Sequence, residues 1–286
     1  MKAQNLDTQS PYGNYKAGPL TTNLIRLIRK LSTGWLGKRF MFALRRLARK
    51  GIGDICDTEL FGARLRMYAE GNISEKRALY APQFFDLEER QALIALAEDN
   101  AVFIDIGANI GLYSFFTASA FKNFENTRIL AVEPHPVISR RLAYNLSLNA
   151  CLPIEPIMAG LSDREGVMTM VTPEHNLGES RLLKDGERAS GETTDVPVKT
   201  LLNLLAEQSV NRIDGMKIDI EGYEEAVLIP FFDQAPDGLL PRLIIIENNH
   251  KKWKKDLVGL AKSRGYVVRS RTRMNVMLEK IKQGDI

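Results

Sequence analysis

Acidic and polar side chains stand at or just beyond the ends of successive apolar segments of this sequence. They are Asp105, Glu133, Ser162, Asp163, Asp219, Glu221 and Glu247. Carboxylates accept hydrogen bonds from ribose hydroxyls, attract cationic ligands and remove protons from hydroxyl groups. Short apolar runs such as 102–106 and 129–132 are typical of parallel strands, whose carboxyl ends meet at one edge of a sheet. We therefore expect one ligand crevice at that edge.

The segment 102–114, VFIDIGANIGLYS, has the order of a nucleotide-cofactor loop, with a buried strand, an acid, a glycine-spaced turn and a helix start. Its spacing, D-x-G-x-x-x-G, lacks the G-x-G-x-x-G pattern that seats a pyrophosphate. Asp105 would repel a phosphate but attract the ammonium and sulfonium groups of S-adenosylmethionine, so electrostatics favours that cofactor. Glu133 lies 22 residues beyond Gly111, where an acid accepts hydrogen bonds from ribose hydroxyls.

The alternation of strands and helices predicts an α/β fold with a doubly wound, mostly parallel sheet and an antiparallel edge. The predicted strands cover residues 58–61, 63–68, 102–106, 129–132, 154–159, 216–220, 243–247, 266–270 and 275–278. Residues 161–198 break the alternation and predict an antiparallel hairpin insertion. Asp86 and Glu89 have the spacing of a capping box at the start of a helix over 87–98.

Five motifs in order, FIDIGANIG, AVEPHP, LSDREG, KIDIEGYE and IIIEN, resemble those of the FkbM-type family of S-adenosylmethionine-dependent methyltransferases. The resemblance covers about residues 75–270 and leaves the N-terminal region outside it. It implies a class I methyltransferase fold, which is Rossmann-like. It also implies O-methylation of a hydroxyl on a sugar, glycan or secondary metabolite.

The resemblance also implies which residues bind the cofactor. The loop residues Asp105, Gly107, Ala108, Asn109 and Gly111 would hold the methionine portion, Glu133 the ribose, and Ser162 with Asp163 the adenine edge. A plainer interpretation stays open for each position. The glycines could serve only a tight turn, Ser162 and Asp163 could be ordinary turn residues, and Glu133 could be a solvated loop acid.

Methyl transfer to a hydroxyl is an in-line displacement that needs an aligned acceptor and a base. Asp219 and Glu221 are two residues apart, so on an extended strand end they would project to the same side. We predict Glu221 as the base and Asp219 as a residue that orients the cofactor or the acceptor. Lys217 has the same parity and could pair with them. His250 is the other candidate base. The alternative is that the KIDIEGYE acids only cap the following helix.

Two further functions remain open at this stage. Asp219, Glu247 and Asn248 offer oxygen ligands at adjacent strand ends, which would suit a magnesium-assisted O-methyltransferase, although no residue is assigned here as a metal ligand. The other is a non-catalytic adapter that binds a nucleoside and works through its N-terminal helix. A nicotinamide-dependent dehydrogenase is disfavoured because G-x-G-x-x-G is absent.

Basic residues are concentrated in the N-terminal region, since residues 1–53 carry a net charge of +10 in a chain whose total is +4. Residues 1–19 are poor in apolar residues and predict disorder, and residues 23–50 predict a basic amphipathic helical arm broken near 32–37. We accordingly divide the chain into this arm, 1–53, and a methyltransferase domain, 54–286. The arm would contact an anionic membrane or a second subunit, or pack on the domain. No nucleic-acid partner is expected.

The two cysteines, Cys56 and Cys151, lack the spacing of a metal site and favour a reducing compartment. We find no signal peptide and no apolar run long enough to span a bilayer. The sequence therefore predicts a cytoplasmic enzyme, with peripheral contact at the inner face of the membrane if the arm binds lipid.

Overall fold

The structure is a computed structural model and describes residues 6–32, 34–68, 72–174, 176–184, 186–249 and 253–281. Its strands are β1 (Ile55–Leu60), β2 (Ala63–Tyr68), β3 (Val102–Ile106), β4 (Arg128–Val132), β5 (Ile154–Ile157), β6 (Gly160–Leu161), β7 (Gly166–Thr172), β8 (Arg181–Leu182), β9 (Glu192–Lys199), β10 (Gly215–Ile218), β11 (Leu243–Glu247), β12 (Tyr266–Arg271) and β13 (Asn275–Lys280). Its α-helices are α1 (Pro19–Lys30), α2 (Trp35–Lys50), α3 (Ile73–Tyr80), α4 (Leu87–Ile94), α5 (Leu112–Phe121), α6 (Pro136–Ser147), α7 (Leu201–Glu207), α8 (Glu224–Gln234) and α9 (Leu257–Ser263).

Seven strands form one sheet in the order β12-β13-β11-β10-β3-β4-β5. The strands from β11 to β5 pair in parallel, whereas β13 is antiparallel to both of its neighbours. The order reverses direction at β3, which is the topological switch point where doubly wound sheets bind ligands. This arrangement confirms the predicted class I methyltransferase fold with its antiparallel edge.

Helices cover both faces of this sheet, which explains why its strands are almost uniformly apolar. On β3, Phe103 packs into the cluster on the face of α4, α5 and α6, while Ile104 and Ile106 pack into the cluster on the face of α7, α8 and α9. Each buried side chain of this size contributes about 1.5–3 kcal/mol through its removal from water. Burial on both faces therefore keeps the strand ends, and the acids beyond them, in a fixed register.

A smaller four-stranded sheet, in the order β6-β9-β7-β8, stands beside the main one. Its β7 and β9 are antiparallel, which confirms the predicted hairpin insertion. One expectation is wrong: the strand predicted over 154–159 ends at Ile157, and Ser162 and Asp163 follow β6 of the small sheet. The strand ends early because the chain crosses from β5 to pair in parallel with β9.

The N-terminal arm packs on the domain through α1, whose Ile25 and Ile28 are buried in the same cluster as Leu79 of α3. The break between α1 and α2 confirms the predicted interruption. The predicted division of the chain near residue 53 stays a prediction.

Disorder was predicted for residues 1–19, but the described part of the segment before α1 is held against the domain by hydrogen bonds. The Arg66 guanidinium pairs with Asp57 at 2.8 Å and donates to the carbonyls of Asp7, Ser10 and Pro11. These bonds satisfy a buried cation that would otherwise be costly, and they hold residues 7–11 against the domain. Residues 1–5 lie outside the described residues.

The predicted capping box is also wrong. Asp86 occupies the N-cap position of α4 but makes no side-chain cap bond, and it bonds the Tyr113 hydroxyl instead. Glu89 accepts hydrogen bonds from Thr272 and Asn275 on the far edge of the sheet. Both side chains therefore bond residues distant in sequence and not the backbone N–H groups at the start of α4. Within the described residues, no helix is long and apolar enough to cross a membrane.

Candidate active site

A crevice opens beyond the carboxyl ends of β3, β4 and β10, with the small sheet as its opposite wall. It encloses about 470 Å³, part of it open to solvent. The lining residues are Ile106, Gly107, Val132, Glu133, Pro134, Ala159, Gly160, Leu161, Met170, Gly178, Ser180, Arg181, Leu182, Asp219, Ile220, Glu221 and Tyr223. Of the predicted site residues, Gly107, Glu133, Asp219 and Glu221 are therefore brought together around one space.

The glycine loop touches the turn that carries the catalytic candidates. Gly107 has φ +76°, and a Cβ built there would lie 2.0 Å from the backbone oxygen of Asp219. The backbone N–H groups of Gly107 and Ala108 both donate to the Val132 carbonyl at 3.0 Å. Only glycine at 107 allows this close approach, since any side chain would push the two loops apart.

Asn109 links this loop to the crevice acid and to α3. Its backbone, at φ +54°, donates to the Glu133 carboxylate at 2.9 Å. Its side-chain oxygen accepts from the Asn72 amide at 2.9 Å. Asn72 is the N-cap of α3 and was not predicted as a site residue. Its only sequence signal is an Asn before a helix, which also fits ordinary capping.

Glu133 is buried at the end of β4 and also accepts a hydrogen bond from the His135 backbone N–H at 2.8 Å. Burial raises its pKa to about 7, although its two backbone donors favour the charged form. The His135 ring accepts from the backbone N–H groups of Val137 and Ile138 at the start of α6. His135 thus shapes the loop after β4, while Glu133 faces the crevice.

Asp105 lies beneath the crevice with 1% of its surface exposed. It accepts hydrogen bonds from the Ser114 backbone N–H at 3.1 Å and the Ser114 hydroxyl at 2.7 Å, which join β3 to the first turn of α5. Burial raises its pKa, and the Lys217 ammonium offsets part of that rise. Gly111, at φ +89°, provides the sharp entry into α5. These two residues hold the loop in shape.

Three carboxylates meet at the mouth of the crevice: Asp219, Glu221 and Glu247 each place an oxygen within 4.8 Å of the others. The Lys217 ammonium donates to Asp219 at 2.9 Å. Burial alone would lower the Lys217 pKa, but the charges of Asp219 and Asp105 outweigh it and raise the pKa. Such a group of oxygens can accept a proton or bind a divalent cation.

The reason given for pairing Asp219 with Glu221 was wrong, although the two residues do meet. β10 ends at Ile218, so they do not lie on an extended strand. The chain turns instead, with Glu221 at φ +57° and Gly222 at φ +94°. Glu224 stabilises this turn by accepting from the Gly222 backbone N–H at 3.1 Å. A non-glycine residue held at positive φ is a strained conformation often found at functional sites.

Ser162, Asp163 and His250 are not among the residues that line the crevice as the structure describes it. Ser162 is buried and bonds Asp163 at 3.1 Å, whereas Gly160 and Leu161, just before them, line the crevice. His250 lies outside the described residues. The role of each stays a prediction.

Arg181 was not predicted, although it lines the crevice from the small sheet. Its guanidinium pairs with Glu187, which is the main reason that its pKa is raised, and the nearby Glu221 charge adds to the effect. Its position depends on how the insertion folds back across the sheet end. No local motif in the sequence indicates that placement.

Comparison with known proteins gives a family match over residues 105–278, to the Methyltransferase FkbM domain. The chain is 33% identical over 193 residues to Methyltransferase sdnD of Sordaria araneosa, covering 58% of this chain and 72% of that protein. It is 28% identical to AMB antimetabolite synthetase AmbE of Pseudomonas aeruginosa, over 63% of this chain and 10% of that much longer protein. The crystal structure of Methyltransferase FkbM from Methylobacillus flagellatus KT aligns with 91% of this chain and 58% of that one, at 12% identity and a TM-score of 0.42.

Proposed function

Because the chain belongs to the FkbM-type family of S-adenosylmethionine-dependent methyltransferases, we propose that it methylates a hydroxyl group of a sugar, glycan or secondary metabolite. The observation that carries this proposal is the crevice in which Gly107, Glu133, Asp219 and Glu221 meet. A cofactor-binding acid and an acceptor-activating acid would then face the same space.

The residues of the crevice fit the methyl donor. Glu133 is a buried acceptor suited to ribose hydroxyls, and the loop 107–111 leaves room for backbone approach. The charges of Asp105 and Asp219 favour the cationic methionine end, in keeping with the expected roles of Asp105, Ala108, Asn109 and Gly111. Ser162 and Asp163, beside Leu161, remain our candidates for the adenine edge. The bound donor supplies an electrophilic methyl group.

Glu221 is our candidate for the group that removes the acceptor proton. Its carboxylate stands at the crevice mouth beside Asp219, which Lys217 holds in place at 2.9 Å. An aliphatic hydroxyl reacts poorly until a base within hydrogen-bond reach takes its proton. Asp219 and Arg181 flank the same space and would orient the acceptor by hydrogen bonding. His250 stays the second candidate base.

Calorimetry with S-adenosylmethionine and its demethylated product tests the donor, and mass spectrometry of a cell extract incubated with isotope-labelled donor tests the acceptor. We expect both donor forms to bind and a labelled O-methyl product to appear. Failure of both to bind at high micromolar concentration would refute the proposal. Donor binding with no product from any hydroxyl-bearing pool would favour the non-catalytic adapter.

The pKa of Glu133 gives a pH dependence for donor binding. Below pH about 7 this carboxyl is protonated, and it must lose its proton before both oxygens can accept ribose hydroxyls. We therefore expect affinity to fall about tenfold for each pH unit below 7 and to level off above it. Titration calorimetry with 5′-methylthioadenosine, which lacks the ionisable methionine end, measures this. Glu133→Gln should bind weakly with no such slope, and a wild-type affinity that is flat across this range would contradict the assignment.

The carboxylate cluster favours a second candidate, a magnesium-assisted reaction, because Asp219, Glu221 and Glu247 converge within 4.8 Å. In that case a chelator should abolish turnover, and added Mg²⁺ should restore it. A base mechanism predicts that the same chelator leaves the rate unchanged. Dialysis against EDTA followed by an assay with and without Mg²⁺ separates the two.

A further inference from the structure

Helix α2 exposes to solvent an apolar face of the kind that amphipathic helices usually bury. Its buried residues are the small or slender Gly37, Met41 and Ala48, which recur at helical spacing. Met41 and Ala48 join the core cluster that also contains Ile25 and Ile28 of α1, and Gly37 lies against Ser32. The apolar stripe of Leu36, Phe40 and Leu47 points away from that contact, and each of the three is more than half exposed. Within the part of the chain that the structure describes, neither α1 nor the domain covers this stripe.

Lys and Arg side chains lie beside the apolar stripe on the solvent-exposed side of α2. Helix α2 contains six Lys and Arg residues and no Asp or Glu. Arg39, Arg46 and Lys50 are exposed and lie next to the apolar stripe at helical spacing. Trp35 and Phe42 are also more than half exposed, with the guanidinium groups of Arg39 and Arg45 over their rings at 5.0 and 5.6 Å. Aromatic rings and long cationic side chains together are typical of helices that lie in a membrane interface.

A shallow groove of about 750 Å³, much of it open to solvent, adds a separate observation on the same helix. Phe42 and four cations, Arg45, Arg46, Arg49 and Lys50, line it. The cationic side chains of this groove suit the anionic head group of a lipid, and the Phe42 ring suits the start of its acyl chain. A duplex nucleic acid would use the charges but leave Leu36, Phe40 and Leu47 in water. A second copy of α2 would bring its own six cations against these six.

We propose that α2 docks the protein on an anionic membrane surface. Leu36, Phe40 and Leu47 enter the boundary between head groups and acyl chains, and the cations of the helix contact lipid phosphates. The helix lies in the plane of the interface for its whole length of about 24 Å. This proposal stands independently of the acceptor.

Flotation of the full chain with phosphatidylcholine vesicles, with and without phosphatidylglycerol, tests the proposal. We expect binding only when phosphatidylglycerol is present, and we expect salt to weaken it. Each cation near an anionic surface contributes about fivefold in partitioning, so Arg39→Gln with Arg46→Gln and Lys50→Gln should lose about a hundredfold. The control set, Lys122→Gln with Lys262→Gln and Arg273→Gln, removes the same charge from exposed positions elsewhere and should bind as the wild type does.

Substitution of the apolar stripe tests the second half of the proposal. Phe40→Ser with Leu47→Ser should lose at least about tenfold in binding, while the control Ile94→Ser with Val267→Ser should not. Thermal melts establish that each variant is folded. Equal binding to neutral and anionic vesicles, or equal loss in test and control sets, would overturn the proposal. So would tight binding to duplex DNA or RNA without vesicle binding, or a dimer that Phe40→Ser with Leu47→Ser dissociates.

Discussion

Replacing Glu221 by Gln should lower kcat by about 10²–10⁴-fold and leave S-adenosylmethionine bound as tightly as before. Gln keeps the shape of the side chain and its place in the turn after β10, but it cannot take a proton. In our proposal other residues, chiefly Glu133, hold the donor, so its affinity should not change. Release of the demethylated product measures turnover, and calorimetry measures affinity.

Glu247→Gln is the matched control because Glu247 belongs to the same carboxylate cluster. If Glu221 acts as the base, Glu247→Gln retains most of the activity. If the cluster binds a metal ion, both substitutions lower kcat, and Mg²⁺ in excess partly restores it. Full activity of Glu221→Gln would rule out its role as the base and leave His250 as the candidate to test.

Gly107→Ala should lose donor binding by at least about a hundredfold, because a small displacement of a loop that aligns reacting groups has effects of this size. The added Cβ would stand 2.0 Å from the Asp219 backbone oxygen, so either the loop or the turn must move. The positive φ and the overlap together should lower the free energy of unfolding by about 3–5 kcal/mol. Chemical denaturation and calorimetry measure the two effects.

Gly186→Ala separates backbone strain from overlap. Gly186 has φ +78°, close to the +76° of Gly107, but a Cβ built there meets no atom of the described residues within 4 Å. This control should lose only about 1 kcal/mol of stability and none of its donor binding. Equal behaviour of the two variants would show that the contact between the glycine loop and Asp219 has no special importance.

The sequence was informative where local pattern and chain order determine structure. Buried runs such as 102–106 and 243–247 appear as strands with the predicted bounds, because burial on both faces leaves a continuous apolar signal. Acids at strand ends met at one crevice because parallel strands share an edge. The fold, the glycine loop and the acids that line the crevice could therefore be predicted, whereas their roles stay predictions.

The hydrogen-bond partners and packing contacts of individual side chains could not be predicted, because they depend on residues distant in sequence. Glu89 fits a local cap but bonds Asn275 instead, 186 positions away. The turn after β10 is stabilised by Glu224, a residue that spacing did not distinguish from Glu221. In α2, the pattern predicted an amphipathic helix, but the face that packs is the one carrying Gly37, where the Ser32 backbone approaches too closely for any side chain.

The two walls of the crevice come from separate stretches of chain. One wall consists of the ends of β3, β4 and β10, and the other includes Arg181 and Leu182 of the small sheet with Gly178 and Ser180 just before them. Residues of the small-sheet wall can change while the buried strands keep their packing. Such a layout is modular: substitutions in the small-sheet wall can alter the shape and charge of the crevice while the strand ends of the other wall stay in register.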